Sequence, residues 1–130
     1  MTEQGYQSKI IKAIEAIGGV AINGNFTTAG TADLICGYPW TIMTKQGYDF
    51  KPRVILLHLH IEVKTPFDYD RVFRSIYEED GYYHFKDDIK SLKKHEYLQI
   101  TKLNKLRKLG GLGLIAHSFE QVKEYVDGNS

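Results

Sequence analysis

Val54-Ile55-Leu56-Leu57-His58-Leu59-His60-Ile61-Glu62-Val63-Lys64 is the stretch on which the fold turns. Leu57, Leu59, Ile61 and Val63 are apolar, and His58, His60, Glu62 and Lys64 alternate with them. Successive side chains of a strand point to opposite faces, so this period predicts a strand with its four polar residues on one face. On so apolar a strand, that polar row is either a solvent face or a site. Pro66 ends the element, and Pro52 is read as preceding it.

Upstream, Ile10, Ile14 and Ile17 recur at helical spacing, with Ile11 and Ala13 widening the stripe. They predict a helix over about 3–17, closed by Gly18-Gly19. A short strand over 20–22 follows, and then turn and loop through Asn23-Gly24-Asn25 and Thr27-Thr28-Ala29-Gly30. A second strand is expected over 32–36, stopped by Gly37 and Pro39, with a further short strand over 40–43 and a loop at 46–49. Downstream, 67–95 reads as an aromatic, charged insert holding a short helix near 69–79, broken at Gly81-Tyr82-Tyr83. A helix over 96–109 carries Ile100, Leu103, Leu106 and Leu109 as its seam. A strand over 112–116 follows, and Ser118, with Gln121 three residues on, opens a last helix whose inner face is Phe119, Val122 and Val126. The order α-β-β-β-α-β-α predicts an α/β domain: a mixed central sheet flanked by helices.

At 130 residues the chain suits one domain, 42% hydrophobic and 25% charged. Cys36, the one cysteine, lies in an apolar run and reads as a small core residue. No segment approaches the ~18 apolar residues of a membrane span. The first residues carry no basic head and no apolar stretch, so a cytoplasmic location without membrane association is expected. Net charge is +1, but it is unevenly spread. Residues 67–88 hold seven acids and three bases, whereas 89–110 hold seven bases and one acid. Such a split is either a solvated helix face or a surface for phosphates, with Lys102 and Lys105 as its candidates and His60 beside it.

Asp33 and Glu62 fall on strands expected to be neighbours, with Lys64 two residues after Glu62 on the same face. Two carboxylates suit a hard cation such as Mg²⁺, and a nearby ammonium suits the charge that builds on phosphate. The backbone carbonyl of Val63 is a further candidate ligand. Glu-x-Lys by itself would equally describe a cross-strand charge pair. His58-x-His60 has zinc-like spacing, but no third ligand is evident in the sequence. There is no phosphate-binding glycine loop and no serine or cysteine nucleophile elbow.

Several short motifs occur in a fixed order. They are Gly18-Gly19, then Gly30-Thr31-Ala32-Asp33-Leu34-Ile35, then Glu62-Val63-Lys64, then Gln99 followed by Leu103 and Leu106, then Gly110, and last a strand and helix. In this order the chain resembles the VRR-Nuc branch of the PD-(D/E)XK nucleases over nearly everything except 67–95. The resemblance implies a restriction-endonuclease-like fold over 1–130, with an insert at about 67–95. It implies a metal-dependent DNA endonuclease using Mg²⁺ or Mn²⁺, of the compact phage type that acts on branched DNA such as Holliday junctions, commonly as a homodimer. Asp33 and Glu62 would then be metal ligands, Lys64 the group that orients water or phosphate, and Gln99 a helper from its helix. The family's first-helix glutamate falls near Gln7, so Glu3 and Glu15 are the substitutes, and Ala32 stands where the family has proline. A non-catalytic nucleic-acid-binding domain on the same fold is the alternative. The insert's tyrosines are read as packing.

Overall fold

The computed structural model describes residues 1–23 and 33–129. The expected loop at 27–30 and the Gly30-Thr31-Ala32 part of the motif lie outside them.

Helix α1 (Glu3–Ala16) begins on Thr2, whose hydroxyl accepts from the Gly5 N–H at 3.2 Å. It leads into β1 (Val20–Asn23) and β2 (Leu34–Gln46). Two expected breaks are absent, and the two short strands expected over 32–43 are one. Strand β2 runs through Gly37 and Pro39 and continues antiparallel to β3 (Asp49–Val63) from Leu34↔Ile61 to Gln46↔Asp49. Strand β1 pairs with β2 only as far as Val20↔Gly37. Beyond that point β2 is an edge strand, the place where a sheet tolerates the missing N–H of Pro39. Pro52, read as preceding the strand, lies inside it opposite Met43. The expected loop at 46–49 is a two-residue hairpin turn, with Gly47 at φ 64° supplying the left-handed residue such turns need.

The insert is also more regular than its sequence suggested. Helix α2 (Pro66–Val72) starts on Thr65 and stops well short of residue 79. Strands β4 (Ile76–Glu79) and β5 (Tyr82–Phe85) then form a hairpin of their own. Its turn is Asp80-Gly81, at φ 53° and 81°. Asp-Gly between two β-prone runs is a strong hairpin signal, so the glycine that seemed to break a helix in fact turns a strand pair.

Helix α3 (Lys94–Lys108), strand β6 (Leu112–Ala116) and helix α4 (Phe119–Gly128) complete the chain. The main sheet has the order β1-β2-β3-β6, with β6 parallel to β3 and the other pairs antiparallel. The architecture is thus α/β, a mixed sheet with helices on both faces. Ile10, Ile14, Val122 and Val126 of α1 and α4 cover one face, over Leu34, Cys36, Leu59 and Ile61. On the other, Ile100 and Leu103 of α3 join Val72, Ile76 and Tyr83 of the insert over Ile115. Leu109 leaves the expected seam and is 78% exposed, because α3 ends before it. No helix among the described residues is long and apolar enough to cross a membrane.

Candidate active site

The register Leu34↔Ile61 puts Asp33 beside Glu62, on the sheet face that carries α3. The Val63 N–H donates to Asp33 Oδ2 at 3.0 Å and fixes that carboxylate against β3. Glu3, in the first turn of α1, supplies a third. Ligand oxygens of Glu3, Asp33 and Glu62 all lie within 4.8 Å of one another. Glu15, twelve residues on, stands about 18 Å further along the helix and is exposed, so it takes no part. Gln7 lies one turn after Glu3 and is buried.

Three carboxylates so close repel one another, and Glu62 is 2% exposed. Burial, with Asp33 next and Glu3 behind it, pushes the Glu62 carboxyl up to about 9, against the pull of Lys64. Glu3 is raised for the same reasons, burial first and then Asp33. Glu62 Oε2 is buried without a hydrogen-bond partner. Oxygen ligands on Mg²⁺ at ~2.1 Å stand ~3.0 Å apart when adjacent and ~4.2 Å when opposite, so the carboxylates, all within 4.8 Å of one another, would close by up to ~2 Å around a bound cation. A hard cation fits it in donor type, charge and orphaned oxygen alike.

Lys64 follows the end of β3, where its N–H still donates to Ala116 O at 3.0 Å. Its Nζ lies 2.9 Å from Glu96 Oε2 and 4.0 Å from Glu62 Oε1. Glu96 is a site residue that the sequence reading missed. It is 1% exposed and also accepts both Arg71 terminal nitrogens at 2.8 Å and the Lys93 N–H at 2.8 Å. Burial would raise its carboxyl, but the Arg71 hydrogen bonds, the Lys93 N–H and Lys64 together draw it down to about 2. The available signal was a lone acid in a basic run, three residues after the residue that opens the helix. Without Ser or Thr at 93 the capping pattern did not stand out.

Gln99 lies one turn after Glu96, in the second turn of α3. Its Oε1 is buried without a partner. His60 lies half-buried on the face of Glu62, its ring 4.8 Å from that of His58. Burial and then His58 lower its pKa. Among the described residues, the group of metal-capable side chains that converges is Glu3, Asp33 and Glu62, so no third ligand joins the two histidines.

The opposed charges of 67–88 and 89–110 pair in part with each other. Arg71 of the acidic segment binds Glu96, and Arg107 of the basic one binds Glu78 at 3.0 Å. Lys105 is exposed and lines a shallow groove with Tyr82, Asn104 and Lys108.

Comparison with family models, with curated proteins and with solved structures gave no match.

Proposed function

We propose that this chain is a divalent-cation-dependent DNA endonuclease with a restriction-endonuclease-like arrangement of its sheet and helices. The observation that carries the reading is the convergence of Glu3, Asp33 and Glu62 within 4.8 Å, two residues from a buried lysine. The implied cation is Mg²⁺ or Mn²⁺, held by those carboxylates with the Val63 carbonyl as a further ligand. When bound, it would polarise the scissile phosphate and lower the pKa of its water.

The protein's own groups do the rest. Lys64 is an ammonium held at the rim of the cluster, where charge builds on the phosphate during attack by water. Glu96 keeps it there, anchored in turn by Arg71, so orientation costs little when substrate arrives. The Val63 N–H holds Asp33. Gln99 Oε1, buried and unpartnered, is available to accept from water one turn along the same helix.

The non-catalytic alternative drew its support from Gln7 in place of a helix acid. Glu3, one turn earlier, supplies that carboxylate, which favours catalysis. The resemblance points to branched DNA as substrate. The test is incubation of labelled duplex, single-stranded, flap and four-way-junction DNA with Mg²⁺ or Mn²⁺. Cleavage that needs metal and ranks the four substrates supports the reading; a folded protein that cuts none of them with either metal rejects it.

A further inference from the structure

Strands β2 and β3 run on together well past the rest of the sheet. Strand β1 leaves β2 at Gly37, and β6 joins β3 only from Leu59. Tyr38, Trp40 and Leu57 still pack against the core. The last six pairs, from Thr41↔Val54 to Gln46↔Asp49, have no third strand beside them among the described residues and end at the Gly47-Tyr48 turn. At ~3.3 Å per residue they make a two-stranded arm about 20 Å long. A lone two-stranded ribbon gains little stability by itself, so an arm of this length needs a reason other than folding.

Its side chains supply one. On one face Met43, Phe50 and Val54 are 60–64% exposed beside Lys45; on the other, Arg53 stands opposite Ile42 and Lys51 opposite Thr44. Tyr48 is fully exposed in the turn, where hairpins ordinarily carry glycine, asparagine or aspartate. Lys45, Lys51 and Arg53 make no ion pair with another described residue, and Asp49 is the arm's one acid. Apolar and aromatic side chains flanked by cations suit a duplex groove, with base and sugar surfaces inside and phosphates along both walls. The major groove, ~12 Å wide, admits a two-stranded ribbon whose strands lie about 4.8 Å apart. A purely apolar partner would leave the three cations without a counter-charge.

We propose that this arm, with Lys45, Tyr48, Phe50, Lys51 and Arg53 at its outer end, enters the groove of duplex DNA at a distance from the carboxylate cluster. The proposal rests on the nuclease reading for its partner and adds where that DNA is gripped. Met43, Phe50 and Val54 share the sheet face of Glu62, so a duplex laid across the site runs on towards the arm. Strand β2 has 13 residues, and Asp33 stands at its other end. The tip is therefore about 40 Å from the cluster, the length of about 12 base pairs at ~3.4 Å each. DNA on that side of the cut must be at least this long for the arm to hold it.

Fluorescence anisotropy of labelled four-way junctions with arms of about 10 or about 20 base pairs, in EDTA, reads binding by the full chain without cleavage. The wild type should hold the longer junction more than about tenfold more tightly. Lys45→Ala, Lys51→Ala and Arg53→Ala together should abolish that preference and reduce the slope of log K against log salt by about 2–3. Tyr48→Ala with Phe50→Ala should weaken binding of the longer junction about tenfold and leave the salt slope unchanged. All five positions are exposed, so the circular dichroism spectrum should not change. A wild type that binds no DNA, or shows no length preference, overturns the proposal, as does a preference that survives the triple substitution. Cleavage with Mg²⁺ is read separately. A protein that cuts but binds both junctions alike rejects the arm and keeps the nuclease; one that prefers the longer junction and cuts nothing rejects the nuclease and keeps the arm.

Discussion

Lys64 lies nearer to Glu96 of α3, at 2.9 Å, than to Glu62 of its own strand, at 4.0 Å. The helix therefore sets the position of the lysine. Glu96 gathers Lys64, Arg71 and the Lys93 N–H in a space closed to water, so it joins α2 and α3 to the end of β3. A buried acid paired to two cations is costly to break from one side.

Glu96→Gln should accordingly destabilise the protein near neutral pH by on the order of 3 kcal/mol, the work of holding at about 2 a carboxyl that ordinarily titrates near 4.5. The folded pKa is depressed, so this stability is complete above about 4.5 and drains away as pH falls towards 2. Urea denaturation at a series of pH values checks it. The wild-type and Gln curves should converge in acid; a constant gap across that window would contradict the role given to the ionised carboxylate.

Glu62 has the opposite sign. Its folded pKa is raised to about 9, so stability is complete below about 4.5 and declines as pH rises towards 9. Without metal, Glu62→Gln should raise the melting temperature at pH 8 and leave it nearly unchanged at pH 4. The same substitution, like Asp33→Asn, should remove the thermal stabilisation that Mg²⁺ or Mn²⁺ gives the wild type. An equal metal-induced shift in both variants would place the cation elsewhere.

The insert docks through Tyr83. Its hydroxyl accepts the Ile115 N–H of β6 at 2.9 Å, while the Arg107 guanidinium lies 4.3 Å from its ring centre. Tyr83→Phe leaves that N–H buried and unpaired, at a cost of about 1–3 kcal/mol. Chemical denaturation would show this as a lower midpoint with an unchanged slope, and faster amide exchange at Ile115 would locate it.

Lys105 is exposed beside the Tyr82 groove and is a candidate phosphate contact. Lys105→Ala should weaken DNA binding alike for every sequence and reduce the slope of log K against log salt by about 1. Sequence-selective weakening would make it a base contact instead.

Much of this was legible before the structure. Strict alternation in 54–64 gave the strand and its polar face, and helical spacing of Ile10 and Ile14 gave α1. The order of short motifs brought Asp33, Glu62 and Lys64 to one place. What stayed hidden depended on neighbours. Pro39 reads as a breaker until β2 is known to be an edge there, and Glu96 reads as surface until Arg71 and Lys64 arrive from distant segments. Gly81 looks like a helix break where pattern alone is weighed, although Asp80-Gly81 between two β-prone runs was a local signal open to reading. The choice of Glu3 over Gln7 or Glu15 needed the helix placed against the sheet.

The most direct test of the central proposal is metal-dependent cleavage of four-way-junction and duplex DNA by the wild type, Asp33→Ala and Lys64→Ala, each confirmed to be folded. Cleavage should require Mg²⁺ or Mn²⁺ in the wild type and fall by at least two orders of magnitude in both variants, as loss of a charge-stabilising group does. Equal cutting by all three proteins, or none by the wild type with either metal, would contradict it.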